Sequence, residues 1–223
     1  MKQAADAGNT SALDGRARAS ALVRFAGSVA LLATLPIWPL VAAMVWASVG
    51  RPLLFRQTRS GRGMRPFTIC KFRTMHDARD AAGALLPDAL RETPAMRLLR
   101  RWRLDELPQL LAIARGEMSF VGPRPLLPDT IQGFGEFGRL RCAVSPGLTG
   151  WAQVNGNTRL TDRQKLALDL WYIHHRSLYL DLKILAMTAI TIVRGERLGE
   201  ANVGRATADM EAPYPRSVQG AGR

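Results

Sequence analysis

The sequence predicts a helix-rich α+β protein held at a membrane by its N-terminal segment, and three observations carry that prediction. The run Phe25–Gly50 holds no charged residue and has Pro36 and Pro39 near its middle. Two short β-like runs follow it, and beyond them leucine and arginine recur at helical spacing. The chain is also strongly basic: 31 Lys+Arg against 18 Asp+Glu give +13 in 223 residues. That length, with 47% hydrophobic residues, suffices for one body with a core plus appendages. Such a charge selects for a polyanionic partner, whether nucleic acid, anionic headgroups or phosphorylated substrates. Cys70 and Cys142 lie far apart without CxxC or Cys/His spacing, so neither a disulfide framework nor a zinc site is indicated and a reducing compartment is implied.

Residues 1–20 are polar, small and without apolar periodicity, and read as a flexible N-terminus. The segment 21–50 is the membrane element. A continuous helix of this length covers a hydrocarbon core of about 30 Å. Against a straight span stand the two prolines, each removing a backbone donor, and arginines at both ends: Arg16, Arg18 and Arg24 before, Arg51, Arg56, Arg59, Arg62 and Arg65 after. Because positive charge marks the cytoplasmic side, a segment basic at both ends suits entry and exit through one face. A re-entrant hairpin and a kinked spanning helix both remain open on these grounds.

Residues 51–198 form the main body. Pro52–Phe55 and Pro66–Phe72 read as strands joined by a glycine-bearing loop at 59–63. Helix-spaced leucines and arginines over 84–104 are interrupted at Pro87 and Pro94. A helix is expected from an Asp105 N-cap, through Pro108 in the first turn, to Ala114 before Gly116. Val121–Pro125 is a rigid loop. Gly133–Gly138 fits GxGxxG by letter but follows no strand, so a dinucleotide reading is not taken. Two helices are expected over 163–175 and 178–194, the second amphipathic and short for a span. From 199 to 223 glycine, alanine, proline and serine predict a disordered tail.

The strongest chemical candidate is Leu104–Pro108. Two adjacent carboxylates, Asp105 and Glu106, are unusual in so basic a chain, and Arg97, Arg100, Arg101 and Arg103 precede them. Positive charge and helix-start N–H groups are expected to hold Asp105 ionised, as suits a metal ligand or carboxylate nucleophile. The spacing alone favours a simple capped helix with surface ion pairs. Arg124 between Pro123 and Pro125 has a nearly fixed backbone and a fork suited to phosphate. Lys71 and Arg73, alternating on a strand, place two cations on one face. The loop Ser145–Gly156 gathers glycine, Thr149, Gln153 and Asn155 around Trp151. Neighbouring His174 and His175 diverge on a helix and form no metal set with His76. No P-loop, HExxH or GxSxG motif occurs.

Five motifs in order now carry a resemblance: Lys71–Met75 (KFRTM), Leu104–Gln109 (LDELPQ), Gly116–Pro125 (GEMSFVGPRP), Pro146–Gly156 (PGLTGWAQVNG) and Asp181–Ile184 (DLKI). Over about residues 22–196 the chain resembles the bacterial sugar transferases, the monotopic phosphoglycosyl transferases that start glycan assembly on a polyprenol carrier. The resemblance implies Asp105 as nucleophile on the β-phosphate of a UDP-sugar, release of UMP, and a covalent phosphosugar passed to undecaprenyl phosphate. Further implications are Glu106 completing the dyad, Mg²⁺ held by Asp105 and Glu106, and phosphate contacts from Arg100 and Arg124, with Lys71 and Arg73 added from the strand. Gln153 and Asn155 stand in the substrate loop. A proline-broken re-entrant helix is implied too, with the break at Pro36, as are amphipathic interfacial helices and a catalytic domain on the cytoplasmic face of the bacterial inner membrane. The expected partners are UDP-sugar, undecaprenyl phosphate and membrane lipids, not nucleic acid; a homo-oligomer is left open. One departure stands out: Asn157-Thr158 follows Gly156 where many members carry Arg-Asn. The alternative is a basic membrane-tethered binding or scaffold protein without catalysis.

Overall fold

The computed structural model describes residues 20–211; the expected flexible N-terminus up to residue 19 and the tail from 212 lie outside the described residues. The fold is helix-rich α+β and comprises two compact units: the chain up to Arg59 with Phe67–Phe120, and Ser60–Pro66 with the chain from Val121.

The first unit begins with an apolar helix, Ser20–Val49, long enough to cross a membrane. It has two arms, α1 over residues 20–34 and α2 over Trp38–Val49, separated by a tighter 3-10 turn, Leu35–Ile37. The prolines explain the break. Pro36 and Pro39 sit in the first turns of the elements they open, where a missing N–H is tolerated, and the Thr34 hydroxyl donates to the Leu31 carbonyl at 3.0 Å.

Each arm packs on the rest of this unit. On α1, a side chain at Gly27 would fall 2.7 Å from Ile113, so the helices touch backbone to side chain; Arg24 Nε donates to the Ala114 carbonyl at 3.3 Å. On α2, Val41, Val45 and Val49 repeat every four residues and enter a cluster with Phe72, Met96 and Leu99, against which Leu104 and Leu107 also pack. Trp38 meets Phe72 edge-on at 5.7 Å. The remaining surface, including Leu22, Phe25, Val29, Leu32, Leu40 and Trp46, stays exposed.

Strands β1 (Leu54–Ser60) and β2 (Pro66–Phe72) form the expected hairpin. Pro87 and Pro94 interrupt the following helices as read from sequence: α3 is Asp88–Arg91 and α4 is Pro94–Arg101, capped by the Thr93 side chain. The helix expected from Asp105 differs. Arg103 adopts a left-handed conformation (φ 55°), Leu104–Gln109 coils as a 3-10 helix with Pro108 inside, and α5 runs only Leu110–Arg115 before left-handed Gly116. Asp105 is therefore no N-cap; the tighter coil, whose bonds reach only three residues back, accommodates the proline that an α-helix start was meant to absorb.

The second unit contains the hairpin tip, anchored by bonds from Ser60 N to the Leu126 carbonyl and from Gly63 N to the Cys142 carbonyl. Strand β3 (Ser119–Val121) leads into it, and Gly122 N donates to the carbonyl of Thr149 in β4 (Gly147–Thr149). Helices α6 (Pro128–Gly133) and α7 (Glu136–Arg141) share the GxGxxG letters, with the turn at Gly135 (φ 57°). Helix α8 is Trp151–Val154. Helix α9 (Asp162–His175), opened by a Thr161–Gln164 capping box, buries Leu166, Leu168, Leu170 and Tyr172. Helix α10 (Leu178–Arg194) buries Leu180 and Ile184 and leaves Leu178, Tyr179, Leu182, Ile190 and Val193 exposed.

The expectation of a disordered 199–223 tail is corrected in part: Glu200–Glu211 forms helix α11, packed on α9 with Val203 and Ala206 buried. Two side chains one turn apart, Val203 and Ala206, seat the helix on α9, a contact that composition does not reveal.

Candidate active site

Within the first unit, the 3-10 segment between α4 and α5 buries both Asp105 and Glu106. The apolar cluster beneath Leu104 and Leu107 fixes the backbone that carries them. Burial first, then the neighbouring Glu106 carboxylate, push the Asp105 carboxyl from its usual 3.8 up to about 6, against the pull of Lys71 and Arg100. The expectation that surrounding cations hold Asp105 firmly ionised is thus corrected: loss of water outweighs them. At neutral pH the carboxylate form still predominates, and it is poorly solvated, which favours nucleophilic attack or cation binding.

Two of the predicted site residues, Lys71 and Arg100, act on it, and Arg103 stands beside Glu106. Lys71, at the end of β2, lies with its ammonium 5.2 Å from the Phe55 ring centroid. Arg100 is steered by Glu92, to which its guanidinium donates at 3.1 Å; Arg97 reaches the same carboxylate at 3.5 Å. Arg103 lies 3.7 Å from Glu106. Sequence reasoning missed Glu92, whose only signal was an acid between two prolines and an arginine-rich run.

Arg73 stands elsewhere. It follows β2, and one guanidinium nitrogen donates to the carbonyls of Val49 at 2.7 Å and Arg51 at 2.8 Å, closing the C-terminal end of α2. A cation there meets the negative end of the helix dipole. The structure therefore gives Arg73 an anchoring place, while Lys71 stays with Asp105.

The second unit holds the other predicted residues. The carbonyl of Arg124 accepts from Arg141 at 2.5 Å, and Arg141 is paired with Asp169 at 2.7 Å; both partners of that pair are buried. A buried ion pair thus fixes the loop that carries the Arg124 fork. Asp169 was readable as an acid amid the leucines of a helix, although nothing named its partner. Gln153 is buried, donates weakly to the Leu148 carbonyl at 3.3 Å, and leaves its Oε1 without a hydrogen bond. Asn155, by contrast, is used internally: its amide donates to the Trp151 carbonyl and accepts from Asn202, both at 2.8 Å. Trp151 stacks on Trp171 and lies under Lys183 of α10.

As a donor set, two adjacent carboxylates beside cations fit Mg²⁺, a hard ion usually held by one or two carboxylates together with substrate phosphates. Among the described residues no group of three or more His, Cys, Asp or Glu gathers, so phosphate oxygens and water would complete such a shell.

Comparison with known proteins adds an independent finding. Residues 17–195 match the family described as bacterial sugar transferase. The chain is 46% identical over 160 residues to the uncharacterized sugar transferase EpsL of Bacillus subtilis, covering 72% of this chain and 79% of that one. It is 41% identical over 194 residues to the UDP-glucose:undecaprenyl-phosphate glucose-1-phosphate transferase of Caulobacter vibrioides, covering 82% and 71%. It is also 41% identical over 176 residues to the undecaprenyl-phosphate glucose phosphotransferase of Komagataeibacter xylinus, covering 71% of this chain but only 32% of that longer protein.

Proposed function

The chain belongs to the bacterial sugar transferase family, and on that premise we propose that it moves a sugar-1-phosphate from a UDP-sugar to undecaprenyl phosphate at the cytoplasmic face of the bacterial inner membrane, starting a glycan. It is a phosphoglycosyl transferase, as its relatives' descriptions support. The observation that carries the finer reading is the buried Asp105–Glu106 pair with Lys71 and Arg100 acting on it.

In this reading an Asp105 carboxylate oxygen attacks the β-phosphorus of the donor. The bond from that phosphorus to the oxygen bridging to UMP breaks, and UMP leaves with the electron pair. The resulting aspartyl-phosphosugar is then attacked by a phosphate oxygen of the carrier, which forms the diphosphate and returns Asp105 as carboxylate. Two steps let a soluble donor and a lipid acceptor use one carboxylate in turn. Lys71 and Arg100 offset charge on the phosphoryl group in transfer, the main demand of such chemistry. Arg124, with its backbone pinned by Arg141, and Gln153, with an unsatisfied oxygen, belong to the second unit. Glu106, with Asp105, would hold Mg²⁺, which when bound neutralises phosphate charge.

Membrane association rests on the exposed apolar surface of Ser20–Val49. The re-entrant reading is supported by the packing of both arms on the same unit, Arg24 and Gly27 at α5 and Val41–Val49 against Phe72, Met96 and Leu99. The exposed leucines of α10 suit a headgroup-level helix.

The test is UMP release by the purified full chain with Mg²⁺, undecaprenyl phosphate and a panel of UDP-sugars, beginning with UDP-glucose because two relatives above are described as glucose transferases. Release by the wild type and none by Asp105→Asn is the expected outcome. Release by both would remove the nucleophile from the scheme.

A further inference from the structure

Arg100 pulls on the Asp105 carboxyl, although its own side chain is 41% exposed. What restrains it lies in the short connection between α3 and α4, where the Glu92 side chain is largely covered. One carboxylate oxygen of Glu92 accepts from Arg100 Nη1 at 3.1 Å, and the other lies 3.5 Å from Arg97 Nε. A single acid thus divides its two oxygens between two arginines one turn apart on α4.

The backbone that carries Glu92 is fixed on both sides. Just before it, Arg91 exchanges two bonds with His76: the His76 N–H donates to the Arg91 carbonyl at 2.9 Å, and Arg91 Nε donates to the His76 carbonyl at 2.8 Å. Just after it, the Thr93 hydroxyl accepts from Met96 N at 3.3 Å and the Thr93 carbonyl from Arg97 N at 2.9 Å, which caps α4. Met96 and Leu99 enter the cluster against which Leu104 and Leu107 pack, so the helix bearing Arg100 rests on the same apolar base as the Asp105 segment. All of these residues belong to the first unit.

Two effects of the Glu92 carboxylate on Arg100 oppose each other. It offsets part of the positive charge, and it takes rotamer freedom from a long side chain. Water and salt screen the first effect at a side chain this exposed. The second survives screening, because a planar fork must be aimed before it can give two parallel bonds to phosphate. We propose that Glu92 is a positioning residue for the transfer step: its carboxylate, set by the bonds of Arg91 and Thr93, aims the Arg100 guanidinium at the phosphoryl group that Asp105 attacks. The inference rests on the nucleophile reading above and deepens it by naming the group that orders one of its cations. Glu92 acts through Arg100 and not on the substrate itself.

The experiment is a double-substitution cycle on UMP release by the purified full chain with Mg²⁺, undecaprenyl phosphate and a panel of UDP-sugars. It compares wild type, Glu92→Ala, Glu92→Gln, Arg100→Ala and each Glu92 variant combined with Arg100→Ala, with melting temperatures recorded alongside. Glu92→Ala is expected to lower kcat/KM about tenfold, equivalent to about 1.4 kcal/mol. Glu92→Gln, which keeps an acceptor on a stem of the same length, should lose only about threefold. With Arg100 already alanine, either change at Glu92 should alter kcat/KM by less than about twofold, since nothing is left to position. The full loss persisting in that background would mark an effect through the fold alone and overturn the proposal. An unchanged or raised kcat/KM in Glu92→Ala would overturn it as well, as the sign of a carboxylate that merely offsets charge. Should Glu92→Ala fail to fold, Glu92→Gln decides by the same two comparisons. These results leave the nucleophile reading standing. A wild type silent with every UDP-sugar, or release that survives Asp105→Asn, would bring down that reading, and this inference with it.

Discussion

Replacing Asp105 by asparagine is expected to abolish turnover and, near neutral pH, to make the protein more stable. The folded chain raises this carboxyl from 3.8 to about 6, a difference of about two pK units, equivalent to about 3 kcal/mol at 1.36 kcal/mol per unit. Between those values the folded form holds a proton that the unfolded form has released. Raising the pH through the window therefore favours unfolding, and the native state loses that amount by the time pH exceeds about 6. Asparagine has no proton to lose. The variant should match wild type near pH 3.8 and below, then pull ahead between pH 4 and 6, and keep up to about 3 kcal/mol above that, a gain of several degrees in melting temperature for a chain of this size. Fluorescence-monitored melts in detergent across pH 4–8, with chelator present so that no divalent ion offsets the charge, would measure it. A stability difference independent of pH, or a variant less stable than wild type at pH 7.5, would refute the reasoning. The same titration should appear in the chemistry: wild-type UMP release is expected to rise with pH through about 6 as the nucleophile ionises, and a flat profile from pH 5 to 8 would contradict it.

Further outcomes follow from packing. Asp169→Asn strands the buried Arg141 charge and should cost about 3–5 kcal/mol, while the double change Arg141→Met, Asp169→Leu should recover much of that stability; thermal melts of the single and double variants measure both, and a double variant no more stable than Asp169→Asn would count against the buried pair. Pro36→Ala with Pro39→Ala should restore two backbone donors, straighten Ser20–Val49 and move the N-terminus to the opposite membrane face; labelling of cysteines introduced at residues 22 and 51 from one side, then the other, reads this directly, and unchanged same-side labelling would count against the hairpin.

Much of the architecture was legible because periodicity and breakers act locally. The hairpin after the membrane segment, the interruptions at Pro87 and Pro94, and the helices α9 and α10 all appear close to where leucine spacing and turn residues put them. The misreadings share a cause in tertiary context. Asp105 looks like a helix cap until Leu104 and Leu107 are seen packed below it, drawing the acid out of water. Alanine and glycine after Gly199 look like disorder until α9 is seen to cover Val203 and Ala206 of α11. Arg73 and Lys71 are indistinguishable as letters on a strand, yet one closes a helix and the other acts on Asp105, because β2 ends between them. Arg141 went unread since its partners, Asp169 and the Arg124 carbonyl, are distant in sequence, and Glu92 since a helix start at Pro94 separates it from Arg97 and Arg100.

The bond from Arg73 to Val49 and Arg51 has a mechanical consequence. It fastens the last turn of α2 to the strand end that presents Lys71, while the valines of that helix brace the segment bearing Asp105. Vertical displacement of this helix is expected to reach the Asp105 carboxyl group, so turnover should vary with acyl-chain length. Reconstitution in short- and long-chain lipids is expected to change the rate of delivery to the carrier while the initial burst of UMP stays constant.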